Sequence, residues 1–206
     1  MSETPQKKVR VAVLISGRGS NMVALAKAAR ADEYPAEIVL VISNRPKAVG
    51  LDKAREMGID ALAIDHKDYP SRESFESDLH EALNDADVQL VCCAGFMRVL
   101  TPFFTRLWPN RLLNIHPSLL PKYKGLHTHE RALEAGDDIH GCTVHYVNEE
   151  LDGGAIIQQA EINVFEDDTA ETLAERLIPI EHDLYVRSLK LVCETVQLEN
   201  INHQVS

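Results

Sequence analysis

No apolar run in this sequence is long enough to cross a bilayer. Stretches such as Val39–Ser43 and Leu90–Met97 are of strand length, well short of the ~20 residues a spanning helix needs. The first residues, Met1–Lys8, are polar and offer no apolar signal segment. Cysteine is sparse. Cys92 and Cys93 are neighbours, Cys142 and Cys193 stand far away, and no CxxC pair exists. That excludes a conventional cysteine zinc site and predicts four reduced packing thiols in a cytoplasmic protein. Positive charge is also in deficit: 21 Lys and Arg against 32 Asp and Glu leave a formal net charge of −11. Such a surface repels a phosphate backbone, so nucleic acid is not an expected partner. An anionic ligand would need a local positive site, which a helix N-terminus with a few Arg and Lys can supply.

What is present is an alternation of β-branched runs and amphipathic segments. Val9–Ser16 reads as a strand that enters a Gly-rich turn, Gly17-Arg18-Gly19-Ser20-Asn21, followed by helical spacing over Asn21–Arg30. Ile38–Ser43, Ala61–Asp65 and Val88–Ala94 read as further strands, with helices over Gly50–Met57 and Ser71–Leu83. This order predicts an α/β fold: a mostly parallel twisted sheet, Rossmann-like in its N-terminal half, with helices on both faces. The second half changes character. Arg111–Ile115 is a short strand before a Pro-punctuated loop, His127–Ala135 is helical, and Thr143–Asn148 and Ala155–Val164 are strands joined by a Gly-rich turn. A long helix is expected over Thr169–Val196, capped by Asp168 and Thr169. No linker or repeat divides the chain, so residues 9–198 read as one domain, flanked by a disordered extension (1–8) and a frayed tail (199–206).

Three motifs carry chemistry. In Ser16-Gly17-Arg18-Gly19-Ser20-Asn21, glycines allow close backbone approach, and free N–H groups at the helix start attract phosphate. Met22 occupies the third glycine position of a dinucleotide fingerprint, and Ser43-Asn44-Arg45 stands where a ribose-reading acid would be, so a single phosphate fits better. Asn114 and His116 lie two apart at a strand end and share a face, an amide donor beside an imidazole, which suits a reaction that develops an oxyanion and moves a proton. Asp152 precedes Gly153-Gly154, where it could be set against His116 and favour its charged form. Each motif alone has an ordinary structural explanation: a tight turn, a strand-end histidine, a hairpin. The clustered His127, His129, His140 and His145 are not expected to hold metal, because the i,i+2 pair falls at a helix start.

Taken together and in this order, the motifs resemble the folate-dependent formyltransferases. The matching segments are Val13–Asn21, Ala94–Leu100, Asn114–Pro121, Gly125–His129 and Leu151–Gly154, and the likeness extends over most of residues 9–190. The resemblance implies the single-domain formyltransferase fold. It implies transfer of a formyl group from 10-formyltetrahydrofolate, as co-substrate and without metal, to the amine of glycinamide ribonucleotide in purine synthesis. By resemblance, Asn114, His116 and Asp152 are catalytic, and Gly19, Ser20 and Asn21 hold the substrate phosphate. Met97, Arg98, Val99, Leu100 and Asn114 line the folate pocket, Arg72 lies near the folate, and Glu181 lies near the substrate ribose or amine. The partners implied are these two small molecules, with no nucleic acid and no membrane, for a monomer or homodimer. Lys124 departs from the family pattern, which carries Pro before Gly125 and so a stiffer loop. The alternatives are another 10-formyltetrahydrofolate-dependent formyltransferase or hydrolase, and, from a different class, a non-catalytic nucleotide-binding module. A tRNA formyltransferase would need a further C-terminal domain and a less acidic surface.

Overall fold

A computed structural model describes residues 7–205, with side chains up to Leu198. Seven strands form one sheet in the order β3-β2-β1-β4-β5-β6-β7. The parallel part comprises β1 (Val9–Ile15), β2 (Ala36–Ser43), β3 (Asp60–Ala63), β4 (Leu90–Cys93) and β5 (Leu112–His116). Then β6 (Ile139–Tyr146) and β7 (Ile156–Asn163) add on in antiparallel sense. Helices α1 (Ser20–Ala28), α2 (Val49–Glu56), α3 (Arg72–Asp85), α4 (Pro102–Leu107), α5 (Thr128–Ala135) and α6 (Ala170–Val205) complete the fold.

The period-2 alternation of β1 explains the two helical layers. Val11, Val13 and Ile15 face Met22 and Leu25 of α1 and Leu184 and Leu189 of α6. Ala12 and Leu14 face Phe75, Leu79 and Leu83 of α3 and Phe104 and Trp108 beside α4. The adjacent Cys92 and Cys93 divide in the same way, one into each core. All four cysteines are free and buried, and burial pushes their thiols up, Cys93 to about 12.

Helix α6 is tied to the sheet by the fully buried Tyr185, whose hydroxyl is shared between the carbonyls of Cys93 (3.1 Å) and Leu113 (3.2 Å). Near the far end of α6, the Gln197 amide donates to the Lys7 carbonyl at 3.0 Å. The Lys8 ammonium donates to the carbonyls of Ala29 and Ala31. Thus Lys7 and Lys8, expected within a disordered extension, are held to the body, and residues 1–6 lie outside the described part. The backbone of α6 stays helical to Val205 where a frayed tail is expected. Side chains after Leu198 and all of residue 206 lie outside the described part.

Two differences from the sequence reading have local causes. Helix α4 has only six residues, too few to show a period, though Thr101 precedes it and Pro102 opens it. Strand β6 starts at Ile139 rather than Thr143, because its first residues pair with Asn163, Ile162 and Glu161 of β7. Among the described residues, no helix is long and apolar enough to cross a membrane.

Candidate active site

Strand order reverses beside β1, where chain connections leave in opposite directions and a crevice opens at the carboxyl ends of the strands. A cavity of about 750 Å³ lies there, walled by residues 95–100, 114–117, 125–128, 145 and 147–152, with Asn21 and Glu181.

Asn114 and His116 emerge from β5 on one face, two residues apart, as alternation requires. The partner of the Asn114 amide comes from the antiparallel strand β6, which sets His145 opposite Asn114 and Thr143 opposite His116. His145 is buried. Its Nδ1 lies 2.8 Å from the Tyr146 carbonyl, an acceptor only, so Nδ1 carries the proton. Nε2 then accepts from the Asn114 amide at 3.2 Å. Burial lowers the His145 pKa, which keeps this ring neutral and the Asn114 amide oriented.

His116 is 5% exposed. Its Nε2 lies 2.9 Å from the Tyr123 carbonyl, and its Nδ1 lies 3.4 Å from Asp152 Oδ2. Nε2 donates to the Tyr123 carbonyl, which accepts only, and Nδ1 faces the carboxylate. Asp152 is held in turn: Oδ2 accepts the Gly125 backbone N–H at 2.8 Å. Asp152 itself has φ 48, in the left-handed region that Asp tolerates better than most residues. Behind it, a Cβ on Gly154 would sit 1.7 Å from the Tyr146 carbonyl oxygen, so that glycine permits a backbone crossing. The loop is further anchored by Glu149 to Arg106 and Glu150 to Lys124, each at 2.6 Å.

The Gly-rich turn places Gly19 at φ 67 as the residue before α1, with its missing side chain giving room to Gly50. Asn21 Nδ2 donates to Glu181 Oε2 at 2.9 Å, joining the first helix to the last. Burial pushes the Glu181 carboxyl above the ordinary carboxylate range, against the opposing pull of the Asn21 amide. Asn21 Oδ1 and Thr128 Oγ1 are buried with no protein partner, and both residues wall the cavity. Such atoms mark a place where a ligand can complete the pairing.

Of the residues expected from the sequence, Asn114, His116 and Asp152 come together, and Met97, Arg98, Val99 and Leu100 wall the same cavity as Asn21 and Glu181. Gly19 and Ser20 stand at the start of α1, outside the cavity wall. Arg72 is exposed at the start of α3 and does not reach the wall. Arg98 lies over the Phe75 ring of α3, with its guanidinium carbon 5.3 Å from the ring centroid. His145, Tyr123 and Thr128 were not assigned roles from sequence. Among the described residues, no group of three or more His, Cys, Asp or Glu is placed to hold a metal ion. His127 caps α5 in the left-handed region, while His129 turns to the buried His140, with their ring nitrogens 3.1 Å apart.

The family model for formyl transferases matches residues 9–189. The chain belongs to the formyl transferase family. Its relatives within that family include the trifunctional purine biosynthetic protein adenosine-3 of Drosophila melanogaster, 51% identical over 91% of this chain. The chain spans only 14% of the length of that relative. The phosphoribosylglycinamide formyltransferase of Escherichia coli (strain K12) is 43% identical, over 86% of this chain and 84% of its own. The crystal structure of phosphoribosylglycinamide formyltransferase from Brucella melitensis superposes with a TM-score of 0.88 at 48% identity, covering 91% of this chain and 96% of that one. The formyl transferase fold is therefore the α/β architecture expected from the sequence, with a single mostly parallel sheet.

Proposed function

We propose that this chain transfers the formyl group of 10-formyltetrahydrofolate to the amine of N1-(5-phosphoribosyl)glycinamide in purine synthesis, a cytoplasmic reaction of two small molecules. One observation carries the reading: Asp152, from a distant loop, is brought onto His116 beside Asn114 in the wall of a cavity large enough for a drug-sized ligand. In this reading the amine attacks the formyl carbon, a C–N bond forms and the carbonyl oxygen becomes an oxyanion. The Asn114 amide and the protonated His116, projecting from one strand face, donate to that oxygen, with His116 Nε2 turning to it from the Tyr123 carbonyl. The bond from the formyl carbon to folate N10 then breaks. N10 gains a proton through His116, and the attacking amine loses one, so charge and protons balance. Asp152 orients the ring and supports its charge.

The Gly19, Ser20 and Asn21 turn at the start of α1 would take the substrate phosphate on its free N–H groups. Glu181 would meet the ribose or amine, and Asn21 Oδ1 and Thr128 Oγ1 offer further polar contacts there. Met97, Arg98, Val99 and Leu100 would carry the pteridine, with Arg72 reached only by the outer part of the folate. The test is to mix purified protein with 10-formyltetrahydrofolate and glycinamide ribonucleotide and follow deformylated folate by absorbance. Release that requires the amine supports transfer, and equal release without it would mean hydrolysis instead.

A further inference from the structure

The two half-sites meet at one buried hydroxyl. Ser16 is 3% exposed and is the residue immediately before the Gly17–Asn21 turn. Its Oγ accepts the backbone N–H of Met97 at 2.7 Å and donates to Asn44 Oδ1 at 2.5 Å. Its own backbone N–H donates to the Gly95 carbonyl at 3.1 Å. Ser16 is therefore pinned twice to the strip that walls the folate side of the cavity. Asn44 is 1% exposed and is fixed from behind by His66, whose Nδ1 lies 2.9 Å from the Asn44 carbonyl. The other end of the strip is held separately: Glu76 of α3 accepts the Thr101 backbone N–H at 2.8 Å and also its hydroxyl.

Both Ser16 tethers belong to the segment that also forms the anion-binding turn, whereas the Glu76 tether does not. One peptide unit separates the hydroxyl on Met97 from Gly17. Gly17 is in turn fixed at its carbonyl by the Gly50 N–H at 3.0 Å. A phosphate that drew the N–H groups of the turn inward would carry Ser16 with it, and the Met97 amide would follow.

We infer that Ser16, oriented by Asn44, is a positioning residue that couples the two substrates, so that glycinamide ribonucleotide on the turn tightens folate binding on residues 95–100. This rests on the function proposed above. Linkage makes the effect reciprocal, and couplings of this kind are commonly about 5-fold or more.

The experiment is calorimetric titration with 5,8-dideazafolate, which carries no transferable formyl group, with and without saturating glycinamide ribonucleotide. Wild type should bind the folate analogue about fivefold more tightly when the ribonucleotide is present. Ser16→Ala, which keeps the backbone bond to Gly95 but loses the hydroxyl bond to Met97, should bind both ligands with the coupling clearly reduced, and Ser16→Thr, which keeps the hydroxyl, should restore it. Asn44→Ala should reduce it by freeing the hydroxyl to rotate. Glu76→Gln loosens the other end of the strip, and should weaken the analogue while leaving the coupling ratio intact. Undiminished coupling in Ser16→Ala, or loss of coupling in Glu76→Gln, overturns the assignment. So does wild type that binds both ligands independently. Failure of wild type to bind the folate analogue at all would overturn the proposed function rather than the coupling alone. Should Ser16→Ala not fold, the comparison of Asn44→Ala with Glu76→Gln decides the same question.

Discussion

His116 Nδ1 and the Gly125 amide converge on a single oxygen of Asp152, at 3.4 and 2.8 Å. One carboxylate thus fixes both the imidazole and the loop that opens the far wall of the cavity. Asp152→Asn keeps a residue that tolerates the left-handed backbone at this position, so the fold should persist. The charge opposite the ring is lost. Turnover should fall on the order of 10²–10³, as should that of His116→Ala. Steady-state rates alongside circular dichroism check this, and a near-wild-type rate in either folded variant would remove Asp152 and His116 from the proposed catalytic group.

In the proposed reaction His145 acts through Asn114. It orients the Asn114 amide through a single hydrogen bond of 3.2 Å. Loss of one such bond is worth about 1 kcal/mol. His145→Ala should therefore lower kcat by about fivefold while leaving the phosphate side of the site unaffected. An unchanged kcat would mean that Asn114 needs no such partner.

Acid should weaken the fold in a defined window. Burial lowers the pKa values of His129, His140 and His145, that of His140 from 6.5 to about 4. The unfolded chain protonates these rings first. Their contribution is therefore fully present above pH 6.5 and is lost as pH falls toward about 4. Melting temperature measured across that range should drop more steeply in wild type than in His140→Gln. Parallel curves for the two proteins would count against a buried, neutral His140.

Gly154→Ala should destabilise the protein by about 3 kcal/mol, because the added carbon meets backbone that cannot turn aside. The nearest atom is the Tyr146 carbonyl oxygen, at 1.7 Å. A lowered urea midpoint with an unchanged slope would establish it. Adjacent glycines at 153 and 154 read in sequence as a Gly-rich turn, and here Gly154 is the place where two backbone segments cross. Amide exchange over residues 148–154 should accordingly be slow without ligand, and rapid exchange there would show the crossing to be transient.

The central part of the site was legible because its signals are local. Asn114 and His116 share a face by strand alternation, and the Gly17–Asn21 turn announces itself by its glycines. His145 was not legible as the partner of Asn114, because that pairing depends on the register of two antiparallel strands separated by a loop and a helix. Tyr123 and Gly125 contribute a carbonyl and an amide, groups that every such residue carries and that no side-chain identity encodes. Lys124, expected to loosen its loop in place of Pro, instead pairs with Glu150, although an ion pair this exposed contributes little. The parallel half of the sheet followed from its β-branched runs. The six residues of α4 did not, since they hold barely more than one and a half turns.

The contact between Gln197 and Lys7 sets the start of the described chain against the later part of α6, at the amino-terminal edge of β1. A segment joined ahead of Lys7 would therefore start beside α6, at the end of β1 opposite the one that leads into the Gly17–Asn21 turn. In the Drosophila melanogaster relative the matching stretch is 14% of a longer polypeptide, and a join at that edge would leave the strand ends that carry Asn114 and His116 uncovered.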